Sequence, residues 1–374
     1  MIIKELKLIN HRNYENDHVI FHDNTNILVG KNAQGKTNLL EAIYMCARGY
    51  SFKSLKEEGL IQFGKDNSYL KANILNSSRK RQVEIKLSDK EKKRIRINEI
   101  EISNLKELKS QFGVVIFSPE ELKIVKETPS IRRSFLDEII SNNDISYKSL
   151  LNDFQKVRGQ RNDLLKKRHA NKYFDAMIKA SNDMMVDYGS KVAIYRYKYI
   201  LMLNEYAKKF HKLLSSDKEE LSLDYKTNFC EDFSNLDTIK ENYRKKIEEN
   251  KQREYDQYQS LYGPHKDDIL ISINGLDSRS YASQGQQRTA MLALRLGEAM
   301  LIEKLTRLKP ILLLDDVFSE LDNQRARLLV EAIKGYQTII TTNTLLNIDT
   351  TNMDGNVYRI EAGKIINQEA GERK

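Results

Sequence analysis

At 374 residues the chain has room for two domains or for one large domain with an insertion, and a hydrophobic fraction of 40% supports a real core. A charged fraction of 31% and a mean hydropathy of −0.61 imply a large solvated surface, such as exposed helices. The net charge of +9 and pI near 9.1 suit a polyanionic partner, or reflect a genome rich in Lys, Asn and Ile codons. No stretch approaches the roughly 18 consecutive apolar residues of a membrane span. Charge interrupts Met1-Ile2-Ile3-Lys4-Glu5 too early for a signal peptide. Cys46 and Cys230 match neither metal-ligand spacing nor a disulfide framework, so a reducing, cytoplasmic setting is expected.

The first 29 residues read as strands. Ile2-Ile3-Lys4-Glu5-Leu6-Lys7-Leu8-Ile9 has the apolar spacing of a sheet strand, and Val19-Ile20-Phe21 offers it a partner. The turn between them, His11-Arg12-Asn13-Tyr14, is polar, basic and aromatic; it either touches a nucleotide or forms a solvated hairpin tip. Asn26-Ile27-Leu28-Val29 reads as a short buried strand, and Asn38 to Cys46 as a helix with Leu39, Leu40, Ile43 and Cys46 on one face. Between them stands Gly30-Lys31-Asn32-Ala33-Gln34-Gly35-Lys36-Thr37, which fits G-x-x-x-x-G-K-[ST]. Strand, glycine loop, helix is the geometry in which backbone N–H groups wrap phosphates at a helix N-terminus. Lys36 would then reach the β- and γ-phosphates of ATP, and the Thr37 hydroxyl would ligate Mg²⁺. An ordinary Gly-rich turn is the alternative, and it leaves the Lys36-Thr37 pair unexplained.

Ala47-Arg48-Gly49-Tyr50-Ser51-Phe52-Lys53-Ser54 carries two cations and two aromatics, which suit DNA contact or a plain surface loop. Tyr69 to Ile102 alternates as an antiparallel subdomain. Val83, Ile85, Leu87, Ile95 and Ile97 face inward there, and Lys86, Arg94 and Arg96 face outward as a solvated or DNA-contacting surface. Val114 to Phe117 is an apolar run that reads as a buried strand. Ser118-Pro119-Glu120-Glu121-Leu122 starts a short helix, and Pro129 opens another through Arg132 to Asp137. From about Ser141 to Tyr255 strand signals nearly vanish, and spaced apolar residues such as Leu150, Phe154, Val157 and Leu165 predict amphipathic helices. Ile239 to Tyr255, mostly charged, is expected to project into solvent or pair loosely. No sustained heptad predicts a long coiled coil. The expected organisation is an ATPase head from 1–140 and 256–374 with a helical arm, 141–255, inserted in it.

Pro310-Ile311-Leu312-Leu313-Leu314-Asp315-Asp316 is an apolar strand ending in two acids, placed where a P-loop fold needs carboxylates. Asp315 would hold Mg²⁺ and Asp316 would orient or deprotonate the attacking water, so Asp316 and Lys36 are the expected catalytic residues. A helix cap is the bland alternative for the two acids. Tyr281-Ala282-Ser283-Gln284-Gly285-Gln286-Gln287-Arg288 opens a helix running from Thr289 towards Glu303. Ser283 can cap it, and Gly285 lets backbone approach a ligand, which makes a second phosphate-binding device. A helix cap alone does not call for Gly285 followed by two Gln. Phe318 to Asp322 leads into a further helix, and Thr338-Ile339-Ile340-Thr341-Thr342-Asn343 is a strand ending in polar groups.

The order Walker A, Ser-x-Gly-Gln signature, Walker B and Ser-x-Leu-Asp loop resembles that of ABC-type ATPase heads. Within that class the chain resembles the RecF family of bacterial DNA repair proteins, related to SMC heads. The matching motifs are Gly30 to Thr37, Phe117 to Glu120, Arg132-Arg133-Ser134-Phe135-Leu136-Asp137, Gln160-Arg161-Asn162, Gly263-Pro264-His265-Lys266-Asp267-Asp268, Ser283 to Arg288 and Leu313 to Asp322. The resemblance implies an α/β fold: a P-loop ABC-type head with an antiparallel β subdomain and an inserted α-helical arm. It implies that Ser283, Gln284, Gly285 and Gln286 contact ATP held by a second subunit, so that ATP joins a homodimer that clamps duplex DNA near a single-strand gap. It also implies RecR and RecO as partners, RecA assembly downstream, and a place in recombinational repair and replication restart. Three departures from the wider ABC pattern stand out. Asp316 is shorter than the usual glutamate, so slow hydrolysis is expected. Thr341, Thr342 or Asn343 occupies the place of the switch histidine, and Ser118-Pro119 that of the Q-loop glutamine. The rivals are a transporter ATP-binding subunit, opposed by the helical arm and Asp316, and an SMC-like tether, opposed by the missing heptads.

Overall fold

The computed structural model describes residues 1–53, 57–76, 79–109, 111–170, 172–345 and 354–370; Ser54 of the cation-aromatic loop lies outside them. Strands β1 (Ile2–His11), β2 (Tyr14–Ile20) and β3 (Thr25–Val29) lead into helix α1 (Lys36–Arg48). Strands β4 (Asn67–Asn76), β5 (Arg79–Ser88), β6 (Arg94–Ile97) and β7 (Ile100–Glu101) follow, then α2 (Leu105–Lys109) and β8 (Val114–Phe117). Next come α3 (Lys123–Lys126), α4 (Pro129–Asn143), α5 (Ile145–Lys166) and α6 (Phe174–Leu214). They are followed by β9 (Leu221–Lys226), α7 (Leu236–Glu249), α8 (Lys251–Gln257), β10 (Asp268–Ile273), β11 (Leu276–Asp277) and α9 (Ser278–Tyr281). The last elements are α10 (Gln284–Thr306), β12 (Ile311–Asp315), α11 (Asn323–Ala332), β13 (Thr338–Thr342), β14 (Gly355–Glu361) and β15 (Lys364–Ala370). By contact the chain divides into Met1–Leu122 with Leu213–Asp217 and Leu292–Lys374, and Lys123–Lys212 with Lys218–Met291.

The first unit holds two six-stranded sheets. One is antiparallel, in the order β2-β1-β4-β5-β6-β7. The other runs β15-β14-β3-β13-β12-β8 and is parallel except at β15. Ile311 to Leu314 and Val114 to Phe117 are buried on both faces, the pattern expected of interior parallel strands. Helix α1 packs against β4 and β5 of one sheet and β8, β12 and β13 of the other. It is therefore buried all round from Leu39 to Arg48, rather than along the single face that its periodicity predicts. The register aligns Asp315 with Thr341 and Thr342 with Val29, so the carboxyl ends of β3, β12 and β13 finish together.

The second unit is mainly helical, and α6 alone has 41 residues, about 60 Å at the α-helical rise of ~1.5 Å per residue. Two expectations fail here. Strand β9 lies inside the stretch expected to be a helical arm, because Leu221 and Leu223 alternate inward once β10 supplies a ladder. Helix α7 does not project loosely: Ile239, Tyr243 and Ile247 recur every four positions along it and are all buried.

Charged residues also enter this unit, and they enter in pairs. Arg196, 2% exposed, donates to both Asp137 oxygens (2.9 and 2.8 Å), to Asp267 Oδ2 (3.0 Å) and to the Pro264 carbonyl (2.6 Å). Arg132 forks onto Asp268 at 2.7 and 2.9 Å. Arg161 holds the fully buried Glu254 at 2.5 Å, with Asn182 and Ser260 on its other nitrogens. These are the motifs around Arg132, Arg161 and Gly263 that mark the family resemblance. Here they form the polar frame of the unit.

Candidate nucleotide site

Gly30 to Gly35 turns the chain from the end of β3 into α1. Gly30 has no room for a side chain, since a Cβ would lie 2.3 Å from the Ile360 carbonyl oxygen. Gly35 stands at φ 113°, in the left-handed region that disfavours a Cβ. As the residue before α1 it offers no side-chain cap, so the helix's first amides remain available to an anion. The loop's carbonyls are tied back from outside. Asn13 Nδ2 and the Gly363 amide both donate to Gln34 O at 2.9 Å, and the Tyr14 hydroxyl donates to Gly35 O at 3.1 Å. The His11–Tyr14 turn is thus a brace for the phosphate loop, with His11 and Tyr14 buried rather than solvated.

Lys36 is buried, and its Nζ donates to Gly30 O (2.5 Å), Lys31 O (2.8 Å) and Asn343 Oδ1 (2.9 Å). Burial pulls the ammonium below its ordinary pKa, while Asp316 and Asp315 act in the opposite sense. The Thr37 hydroxyl donates to Asp315 Oδ1 at 2.7 Å, and Thr341 Oγ1 donates to the same oxygen at 2.8 Å. Thr341 Oγ1 also accepts the Asp316 amide at 2.9 Å. Asp316 sits at φ 53°, and its Oδ1 is buried without a hydrogen-bond partner among the described residues. Asn32, Ala33, Gln34, Gly35, Lys36, Thr37, Asp315, Asp316, Thr341 and Asn343 line one cavity of about 320 Å³ together with Pro119. Gly30 and Lys31 contribute the carbonyls that hold Lys36.

Two features of this site escaped sequence reasoning. Of the three residues standing in for the switch histidine, Asn343 is the one that both lines the cavity and touches Lys36. The hydroxyl of Thr341 is engaged by Asp315 and Asp316, and that of Thr342 donates to Thr344 O at 2.7 Å. Arg12 forks onto Glu41 at 2.9 Å on both oxygens, anchoring the brace to α1. Burial raises the Glu41 pKa, but the hydrogen bonds from Arg12 and Ser51 outweigh it and leave the carboxyl below its usual range. A fully buried acid within Leu39-Leu40-Glu41-Ala42-Ile43 was the available signal, because an interior carboxylate needs a cation.

Ser283 to Gln286 belong to the other unit, and none of them lines that cavity. Helix α10 starts at Gln284, five residues before the expected start. Ser283 Oγ accepts the Gln286 amide at 3.2 Å, and Gln286 Oε1 accepts the Ser283 amide at 2.8 Å, a reciprocal capping box. Gln287 Nε2 donates to Ser278 O at 3.1 Å. Both glutamines therefore have structural partners, against the expectation that a cap would not need them. The Ser283-x-x-Gln286 spacing is itself the capping-box signature.

The donor set suits a nucleotide with Mg²⁺. Thr37 and Asp315 offer hard oxygens 2.7 Å apart. Among the described residues no cluster of three or more His, Cys, Asp or Glu forms a protein-only metal cage. Mg²⁺ in phosphate sites needs only one or two protein oxygens, the rest coming from phosphate and water. Among the described residues no helix is long and apolar enough to cross a membrane.

Fold and site together define a P-loop ATPase head. Residues 2–364 match the family described as RecF/RecN/SMC N terminal domain. The chain is 39% identical over 367 residues to the "DNA replication and repair protein RecF" of Clostridium perfringens strain SM101, covering 98% of this chain and 99% of that one. It is likewise 39% identical to the protein of that name from Clostridium acetobutylicum, with the same coverage. A solved structure described as "the recombination mediator protein RecF-ATP in RecFOR pathway" superimposes with a TM-score of 0.87 at 32% identity, covering 99% of this chain and 98% of that one. An Smc head domain from Pyrococcus furiosus shares the fold at 15% identity and a TM-score of 0.58, covering 99% of this chain and 96% of that one. The chain belongs to the RecF family.

Proposed function

We propose that this chain is an ATP-dependent DNA-binding protein of recombinational repair and replication restart. ATP joins two copies, the pair clamps duplex DNA near single-strand gaps, and with RecO and RecR it promotes RecA loading. The observation that carries the reading is the convergence of Lys36, Thr37, Asp315 and Asp316 on one cavity at the carboxyl ends of parallel strands. Relatives of the family described with ATP and with "ATPrS" support the choice of nucleotide.

On this reading the loop amides from Ala33 to Thr37 and the Lys36 ammonium bind the phosphates. Thr37 and Asp315 hold Mg²⁺, which when bound neutralises charge on the phosphate oxygens. Thr341 fixes Asp315 and the Asp316 backbone in register. Asp316 accepts the proton of the attacking water at its unpartnered oxygen, and Asn343 serves the terminal phosphate where the wider pattern has histidine. Asp316 reaches less far than a glutamate, so it serves as a weak base and turnover is slow. The ATPase is a switch, and DNA stimulates it. Ser283, Gln284, Gly285 and Gln286 engage the nucleotide of the second copy. The exposed Lys86, Arg94 and Arg96 on β5 and β6 supply phosphate contacts for DNA. The same reading keeps 1–140 and 256–374 as head and 141–255 as arm, and places the protein in the cytoplasm at the nucleoid.

Light scattering with ATP and gapped DNA tests it. Lys36→Arg is expected to keep nucleotide binding and lose about 10²-fold or more in hydrolysis, the scale of a lost charge-stabilising donor. Ser283→Arg is expected to bind ATP and stay monomeric. Normal ATP-dependent dimerisation of Ser283→Arg would sink the two-copy mechanism.

A further inference from the structure

The capping box at Ser283 does not stand alone. Gln286 Nε2 donates to Glu219 Oε1 at 2.9 Å. Glu219 lies just before β9, and the next residue is fixed on both sides: the Glu220 amide donates to Asn274 Oδ1 and the Asn274 amide to Glu220 O, each at 2.8 Å. On its far side, Glu219 Oε2 faces the fully buried His211 of α6 at 3.8 Å. The carboxylate is mostly covered, with 17% of its side chain exposed.

This chain of contacts sets an orientation. The Glu219 oxygen accepts from the NH₂ end of the Gln286 carboxamide. The C=O end is thereby turned to the Ser283 amide, and the capping box closes in one sense. With its amide and an oxygen lone pair both used inward, Ser283 keeps its hydroxyl proton for an outside acceptor. The Gln284 and Gly285 amides, which open α10, remain as further donors.

We propose that Glu219 is a positioning residue for the signature: it locks the Gln286 carboxamide, which presents the Ser283 hydroxyl and the first α10 amides to the phosphates of the nucleotide held by a second copy of this chain. The proposal rests on the two-copy reading given above. Glu219 touches no phosphate itself. Without it, Gln286 is free to flip or swing away, and the donors of Ser283 are held in no single geometry.

The test compares full-length Glu219→Ala and Glu219→Gln with the unaltered chain in three measurements. These are affinity for a fluorescent ATP analogue, light scattering against protein concentration with ATP, and the melting temperature without nucleotide. Glu219→Ala is expected to raise the concentration for half-dimerisation about tenfold, the scale of one lost charged hydrogen bond, with analogue binding unchanged. Glu219→Gln, which keeps an acceptor oxygen, is expected to fall between the two and to melt as the unaltered chain does. A merely structural role would lower melting and analogue binding together, and that pattern overturns the proposal. Unchanged dimerisation in both variants also overturns it. Ser283→Arg separates the two ideas. If it blocks dimerisation while Glu219→Ala does not, only the positioning role falls; if it dimerises normally, the two-copy reading itself falls.

Discussion

The phosphate cavity and the helical unit both bury charge, but they treat it differently. In the helical unit each buried cation meets acids that match it: Arg196 with Asp137 and Asp267, Arg132 with Asp268, Arg161 with Glu254. In the cavity, Lys36 is held by two carbonyls and an amide oxygen, and among the described residues no carboxylate lies within hydrogen-bonding distance of its nitrogen. Asp316 keeps a buried oxygen with no hydrogen-bond partner among the described residues. Paired interior charges specify architecture, because removing either one strands the other in a poorly solvating interior. Charges held by weaker, exchangeable partners can be taken over by a phosphate or a proton. The contrast sets charges paired into the architecture apart from charges that are not, although residues of both sets sit in the motifs that mark the family.

The contrast breaks first at Arg196. Arg196→Ala leaves Asp137 and Asp267 without their cation and is expected to cost about 3–5 kcal/mol of stability. Calorimetry checks it; a loss below about 1 kcal/mol would make the network ornamental rather than architectural.

Acid probes the same distinction in both units. Burial drives His11 and His265 down from the ordinary 6.5 to about 4. Both are therefore neutral when folded, and the unfolded chain takes up their protons first as pH falls. Their stabilisation is complete above about pH 6.5 and is lost as pH drops towards 4, on the order of 3 kcal/mol for each. Melting temperatures from pH 7 to 4 should fall accordingly. His11→Gln and His265→Gln should each flatten part of that slope, and an unchanged slope in both would remove them as its source.

The smallest expected effect falls on Asp316. Asp316→Asn should lose about 10²-fold in ATP turnover, the lower end for general-base removal. Its melting temperature should stay put, since Asp316 Oδ1 makes no hydrogen bond to the described residues for the change to break. A clear loss of stability would instead place Asp316 with the paired, structural charges.

The fold class and half of the site were legible because their information is local. Eight contiguous residues shape the phosphate loop, and Leu312-Leu313-Leu314-Asp315-Asp316 states both burial and where it ends. The strand at Leu221 and the packing of α7 were not legible. Each depends on a partner distant in sequence: β10 for the strand, and in the case of α7 an interior that covers three apolar residues among many charges. The Ser283 cap was readable as well, and its spacing to Gln286 is that of the capping box the structure shows.

By itself the sequence determined that a phosphate loop precedes a helix, that two acids close a buried strand, and that the chain has the motifs of its family. Only the tertiary structure decided that Asn343 rather than Thr341 or Thr342 touches Lys36, that Asn13 and Tyr14 hold the loop's carbonyls, and that Glu219 accepts a hydrogen bond from Gln286. The reason is physical. Backbone geometry and burial pattern are set by neighbours along the chain, whereas the partner of a buried polar group is chosen by whichever distant segment the fold brings within about 3 Å of it.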